Sequence, residues 1–201
     1  MGSAVGDGAI AALRGMPLLR SVRTGRLVTD AGLALLREIP TLAKPADDPD
    51  GPAGVLLIDG PFTDRGLASL AGLDGVADLD LFWHVTQITS DAFAHLARLP
   101  NLTALGADGR LADDRALAHI AAIPRLRRLR IQEAVASEAG FEALSRSASL
   151  ESLWGRDCPN SRAVRSPRCR RCRRCAISGS GCRASSRRPS RSCRSFRRCA
   201  N

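Results

Sequence analysis

The sequence predicts an α/β solenoid with right-handed turns, parallel strands on a concave face, short helices on a convex face, and a disordered basic tail. Three observations predict it. A triplet of apolar residues spaced three apart, closed by proline, recurs along residues 1–160. A short run with apolar residues at alternate positions follows the later triplets. The composition then changes abruptly: residues 1–160 carry 20 acidic and 16 basic side chains and 26 leucines, whereas 161–201 carry 14 arginines, six cysteines, no acid and no leucine.

The helix figure occurs first at Ile10, Leu13, Met16 and Pro17, then at Leu33, Leu36, Ile39 and Pro40. Leu67, Leu70 and Leu73 keep the triplet and put Asp74 where proline stood. Phe93, Leu96, Leu99, Pro100 and Leu117, Ile120, Ile123, Pro124 restore it, and Phe141, Leu144, Ser147, Ala148 is the most degraded copy. Successive copies are offset by 23, 34, 26, 24 and 24 residues. Spacing of three marks one buried stripe on a helix, and proline ends it by removing a backbone donor. Thr29-Asp30, Thr63-Asp64, Asp113-Asp114 and Ser137-Glu138 stand just before the first anchor, where N-cap residues belong. The longest offset contains Lys44 to Pro52, whose Pro, Gly and Asp content predicts a surface loop.

The strand figure is clearest in Leu126-Arg127-Arg128-Leu129-Arg130-Ile131. Val76 to Leu81, Leu102 to Ala107 and Leu150 to Gly155 repeat it. Alternation of this kind buries one face of a strand and exposes the other. One strand and one short helix in about 24 residues cannot enclose a core; stacked copies can.

These residues resemble the leucine-rich repeat family, in its short bacterial form of about 24 residues. The L-x-x-L-x-L strand figure carries the resemblance, over roughly residues 8–160 and about six units. The family places Asn or Cys three residues after the last strand apolar; here that position holds His84, Arg110, Ala134 and Cys158, so only Cys158 keeps the pattern. The predicted domains are a solenoid over 1–160 and an Arg/Cys/Ser-rich tail over 161–201.

The tail admits several readings. Cys169, Cys172 and Cys175 have the spacing of metal ligands. Fourteen arginines would suit a nucleic-acid or anionic surface. High charge with little apolar content also gives disorder. A frameshift accounts best for the abrupt change of composition. In a GC-rich gene, reading one base out of register turns Arg-Cys into Leu, Cys-Arg into Pro and Arg-Arg into Ala. The junctions Arg165/Ser166, Arg168/Cys169 and Arg171/Cys172 then become Val, Leu and Leu, 24 residues beyond the last helix anchors. The junctions Pro189/Ser190, Ser192/Cys193 and Ser195/Phe196 extend the series by another 24. The expectation is an out-of-frame tail that does not pack on the repeats and supplies no metal site.

No run approaches the 18 apolar residues of a membrane span. Met1 to Ala12 has neither the basic nor the apolar region of a signal peptide, and one cysteine in the first 160 residues suits a reducing compartment, so the expected location is the cytoplasm. His95 and His119 recur at one repeat position and are expected on a solvated helix face. His84 lies in a loop with no nucleophile pattern beside it; a site spanning Asp80, His84 and Asp108 is the one enzymatic arrangement worth testing. No cofactor, no metal and no catalytic residue is predicted.

What remains is the outward side of the strands. It runs from Arg23 and Asp59 through Asp78, Asp80 and Phe82, past Ala104, Gly106 and Asp108, to Arg128, Arg130, Gln132, Ser152, Trp154 and Arg156. An acidic half meets a basic half across two small residues, which predicts a shallow central dip. Trp and Arg are frequent interface anchors. The expected function is non-enzymatic: binding of a protein partner of unread identity through Asp78, Asp80, Phe82, Asp108, Arg128, Arg130, Gln132, Trp154 and Arg156. The alternative is nucleic-acid or anionic-surface binding through the tail, which requires that the tail be authentic.

Overall fold

A computed structural model of the chain describes residues 5–44, 53–82, 84–158, 160 and 174–178; for Asp108 and for Arg174–Ser178 it describes the backbone alone. The strands among the described residues are β1 (Ser21–Arg23), β2 (Gly54–Ile58), β3 (Val76–Leu81), β4 (Ala104–Asp108), β5 (Arg128–Gln132), β6 (Ser152–Arg156) and β7 (Arg174–Ser178). They form one parallel sheet in chain order, each strand pairing with the next. Six of them come from residues 1–160. Pairing runs past the expected boundary at residue 160, because β7 lies parallel to β6 with Ser152 opposite Arg174. The rest of the tail lies outside the described residues, and with it the out-of-frame and metal readings.

The apolar triplets build the second layer. The helices are α1 (Asp7–Ala12), α2 (Asp30–Leu35), α3 (Pro40–Ala43), α4 (Asp64–Ser69), α5 (Asp114–Ala121) and α6 (Glu138–Ser145). A 3₁₀ turn, Leu36–Glu38, continues α2, and a nine-residue 3₁₀ segment, Ser90–Arg98, takes the helix position between β3 and β4. The unit helices pack in sequence: α1 on α2, α2 on α4, α4 on the 3₁₀ segment, that segment on α5, and α5 on α6. Pro40 opens α3 at its first turn, where a missing N–H costs nothing, as well as closing the stripe before it.

The core lies between the layers. Anchors such as Leu33, Leu67, Phe93, Leu117 and Phe141 are fully buried, and join Leu56, Leu79, Leu105, Leu129 and Leu153 of the strands in one continuous cluster. Leu102, Leu126 and Leu150 are buried just before their strands begin. The first unit departs from expectation: Ile10 is buried, but Met16 is 44% exposed, because no described segment packs on its outer side.

Neighbouring units are also joined by a carboxylate latch. Asp7, Asp30, Asp64 and Asp114 each accept two hydrogen bonds from the helix cap of the following unit. The Thr29 amide and hydroxyl donate to Asp7 at 2.8 and 2.6 Å, and those of Thr63 to Asp30 at 2.7 and 2.7 Å. Thr89 does the same to Asp64 and Ser137 to Asp114, each at 2.6 and 2.6 Å. Thr29, Thr63 and Ser137 in turn accept from Ala31, Arg65 and Ala139 within their own helices. At α5 the cap is Asp113, which cannot donate. There the bond reverses and the Ser90 hydroxyl donates to Asp113.

Candidate functional site

Parallel pairing sets the outward residues in rows across the sheet. One row holds Ser21, Val55, Asp78, Ala104, Arg128 and Ser152. The next holds Arg23, Leu57, Asp80, Gly106, Arg130 and Trp154. Asp108, Gln132 and Arg156 stand in the third. The alternate residues, such as Leu79, Leu105, Leu129 and Leu153, face the helices and are buried.

Gly106 gives this face its relief. A Cβ added there would fall inside the Asp80 carboxylate, so the position admits no side chain unless Asp80 moves. With β4 reduced to Ala104 and Gly106, the Arg130 guanidinium reaches across it to the acidic strand. Its Nη2 donates to Asp80 at 2.8 Å and to Asp78 at 3.0 Å. Arg130 is therefore neutralised within the chain, and two carboxylates share one cation. These groups are about half exposed or less, which keeps the contribution of such pairs to stability at about 1 kcal/mol or below.

Between Asp80, Gly106, Arg130, Gln132 and Trp154 lies an open depression of about 180 Å³. Pockets that enclose small organic ligands run from about 300 to 1,000 Å³, so this one is smaller than a ligand-enclosing pocket and has the size of a single side chain. Trp154 forms its far wall and is 40% exposed, while Arg128 is exposed on the adjacent strand. Arg156 is half exposed and lies 3.7 Å from the carboxylate of its neighbour Asp157.

The remaining expected residues divide. Phe82 is turned toward Arg23, whose guanidinium carbon lies 4.6 Å from the ring centroid, an attractive arrangement for a cation on a π face. Asp108 sits in register with Gln132, and its side chain is outside those described. Asp59, expected outward, is 8% exposed. The reason is the end of β2: the chain turns at Gly60, which has φ 134, and folds Asp59 inward. Its amide donates to the Thr24 hydroxyl at 2.7 Å, and that hydroxyl donates to the Asp59 carbonyl at 2.8 Å.

His84 joins Asp59, not Asp80. Its Nδ1 lies 3.0 Å from the Asp59 carboxylate, and its Nε2 meets the Arg26 guanidinium. Arg26 can only donate, so Nε2 accepts and Nδ1 carries the proton toward Asp59. Both ring nitrogens thus face partners within the chain, a carboxylate and a guanidinium. On the helix side, His119 lies 3.3 Å from Asp91, which also pairs with Arg115. Among the described residues no group of His, Cys, Asp or Glu could hold a metal ion.

Two ionisable groups are shifted. The Ser137 hydroxyl holds the Asp114 carboxyl below its ordinary value of 3.8, and the amides of Ser137 and Gly140 add to this. Burial pushes the Cys158 thiol up, in keeping with its enclosed position.

Two features went unread in the sequence. One is the clearance that Gly106 provides for Arg130; a glycine inside a strand facing an aspartate one step away was the signal. The other is the motif Thr/Ser-Asp/Glu-x-Gly, at Thr29 to Gly32, Thr63 to Gly66 and Ser137 to Gly140. At these three positions the latch carboxylate of the preceding unit lies where a Cβ would stand; the latched unit that begins at Thr89 carries Ala92 there, and its segment is a 3₁₀ helix instead of an α-helix.

No protein-family model matches the sequence, and a comparison with curated proteins finds no match. Among the described residues no helix is long and apolar enough to cross a membrane.

Proposed function

We propose that the chain is a non-enzymatic interaction module, a right-handed solenoid of the leucine-rich-repeat kind that binds a protein partner in the cytoplasm. Parallel strands in chain order, with β2 to β6 each reached through a helical segment, support the handedness, since such crossovers are right-handed almost without exception. Stacked repeats offer an extended sheet face suited to partners. One observation carries the binding reading: Trp154 stands exposed on the wall of the Gly106 depression, in the same row as Arg130. An exposed tryptophan beside arginine is the residue chemistry from which interface hot spots are built.

The test is a photo-reactive side chain in place of Trp154, with Ala118 on the helix side as the reference position. A partner captured from the first position alone is then purified and titrated against Trp154→Ala. The expected loss is about 1–4 kcal/mol of binding. Equal capture at both positions, or an unchanged affinity, refutes the assignment.

A further inference from the structure

The partner's chemistry follows from what the outer face leaves uncompensated. The acidic half is largely compensated, because Arg130 already bridges Asp78 and Asp80 and leaves a single negative charge shared between them. The basic half is not. Arg128 makes no ion pair among the described residues, and Arg156 meets only the adjacent Asp157, at 3.7 Å. Trp154 stands between these two arginines, and the depression opens beside it.

Resting on the reading above, we propose that the partner presents an extended acidic segment, with two carboxylates flanking one aliphatic side chain. Arg128 and Arg156 lie on neighbouring strands, four residues apart along the register. Strands are about 4.8 Å apart and rise about 3.3 Å per residue, so the two backbone positions are separated by roughly 14 Å. Carboxylates at positions i and i+4 of an extended peptide are about 13 Å apart by the same rise. The residue at i+2 then falls over Trp154, and an aliphatic side chain there enters the 180 Å³ depression. A nucleic acid fits less well, because its phosphates would lie over Asp78 and Asp80. A second copy of this chain would have to oppose its acidic half to Arg128 and Arg156, and that half is already paired with Arg130.

The test uses the full chain and a labelled peptide, Gly-Glu-Ser-Leu-Ser-Glu-Gly, read by fluorescence anisotropy. Comparison peptides carry Gln for both Glu, or Ala for Leu. The protein variants are Arg128→Gln, Arg156→Gln and Trp154→Ala, with Arg115→Gln on the helix side as reference, and all keep the arginine-rich tail. The expected result is binding that weakens at least about tenfold with the Gln peptide and with Trp154→Ala. Each arginine change on the sheet should weaken it severalfold, and Arg115→Gln should leave it unchanged. Unchanged circular dichroism confirms that each variant is folded.

Equal binding of the Gln peptide, or binding that survives all three sheet variants and so belongs to the tail, overturns the proposal. So does the absence of binding at millimolar peptide, or a dimer in sedimentation that Trp154→Ala dissolves. A neutral or basic partner cross-linked at position 154 would sink the acidic preference alone. No cross-link specific to that position would sink the sheet-face reading with it.

Discussion

A single methyl group at Gly106 would collide with the Asp80 carboxylate and displace the partner of Arg130. The displaced carboxylate ends a flexible side chain on an open face, so Gly106→Ala should cost less than about 1 kcal/mol in chemical denaturation. It should weaken partner binding far more than it weakens the fold, because the methyl group fills the depression. A fall in stability matching the fall in affinity would contradict this. Trp154→Ala belongs with it: a side chain left 40% exposed contributes little to the core, so its truncation should act on binding. At this scale the sequence was readable where alternation is strict, as from Arg128 to Gln132. It misled at β2, where Gly54 to Ile58 is apolar throughout. Period two cannot show there that Val55 and Leu57 face outward, or that the chain turns before Asp59 can.

In an element, the same glycine can be slack or required. Gly8 in α1 has no neighbour within 4 Å of an added Cβ. Gly8→Ala should stabilise by about 0.5 kcal/mol through helix propensity. Gly140 in α6 faces the Asp114 backbone at 2.8 Å and its carboxylate at 2.5 Å, so Gly140→Ala should destabilise by about 1–3 kcal/mol, as overpacking does. Thermal unfolding of the two variants, shifting in opposite directions, is the check; a stabilised Gly140→Ala would remove the latch from the account.

The latch also has a pH signature. Asp114 titrates lower in the folded chain than its ordinary 3.8 because Ser137 donates to it. Its stabilising effect is therefore complete above the unfolded value and is lost as pH falls through the folded one. Ser137→Ala should cost about 1 kcal/mol near neutrality, the usual loss of a cap, and should make the acid limb of the stability curve shallower. An acid limb parallel to that of the parent chain would rule this out. Thr29-Asp30 and Thr63-Asp64 were legible as caps, since a cap is a local device. Their reach into the next unit depends on how closely the units stack, which residue spacing alone does not disclose. Ala116 carries a methyl group where Gly32, Gly66 and Gly140 have none, and there Asp91 of the preceding unit turns instead to Arg115 and His119.

For the whole molecule, the strand and helix alternation was visible because the helix figure repeats six times and the strand figure four times, and each copy supports the reading of the others. The tail was visible only as a break in composition, and the strand Arg174–Ser178 in it was not, since its one short alternation, Cys175 and Ile177, is set among arginines and serines and carries no leucine. Residues 161–201 carry a charge of +14 against −4 for the remainder. Any affinity of the full chain for nucleic acid should therefore fall steeply with salt and disappear when 161–201 are removed, while the peptide binding centred on Trp154 remains. A gel-shift series with both chains over a range of salt checks this; salt-insensitive binding by 1–160 would place a nucleic-acid site on the sheet instead.

The latch has a direction along the chain. In four of its five instances the acceptor precedes the donor: Asp7, Asp30, Asp64 and Asp114 leave the ribosome before Thr29, Thr63, Thr89 and Ser137. A nascent unit thus displays its carboxylate at the start of a helix, where the peptide dipole already favours it. The next unit emerges with unsatisfied cap donors and finds their acceptor waiting. Assembly from the N-terminus meets a prepared template at each of these steps, whereas assembly from the opposite end would begin with helices whose caps are still open. Protease resistance of ribosome-arrested chains should accordingly rise one unit at a time during synthesis, and arrest short of Asp113 should leave Ser90 as the only latch donor still awaiting its acceptor.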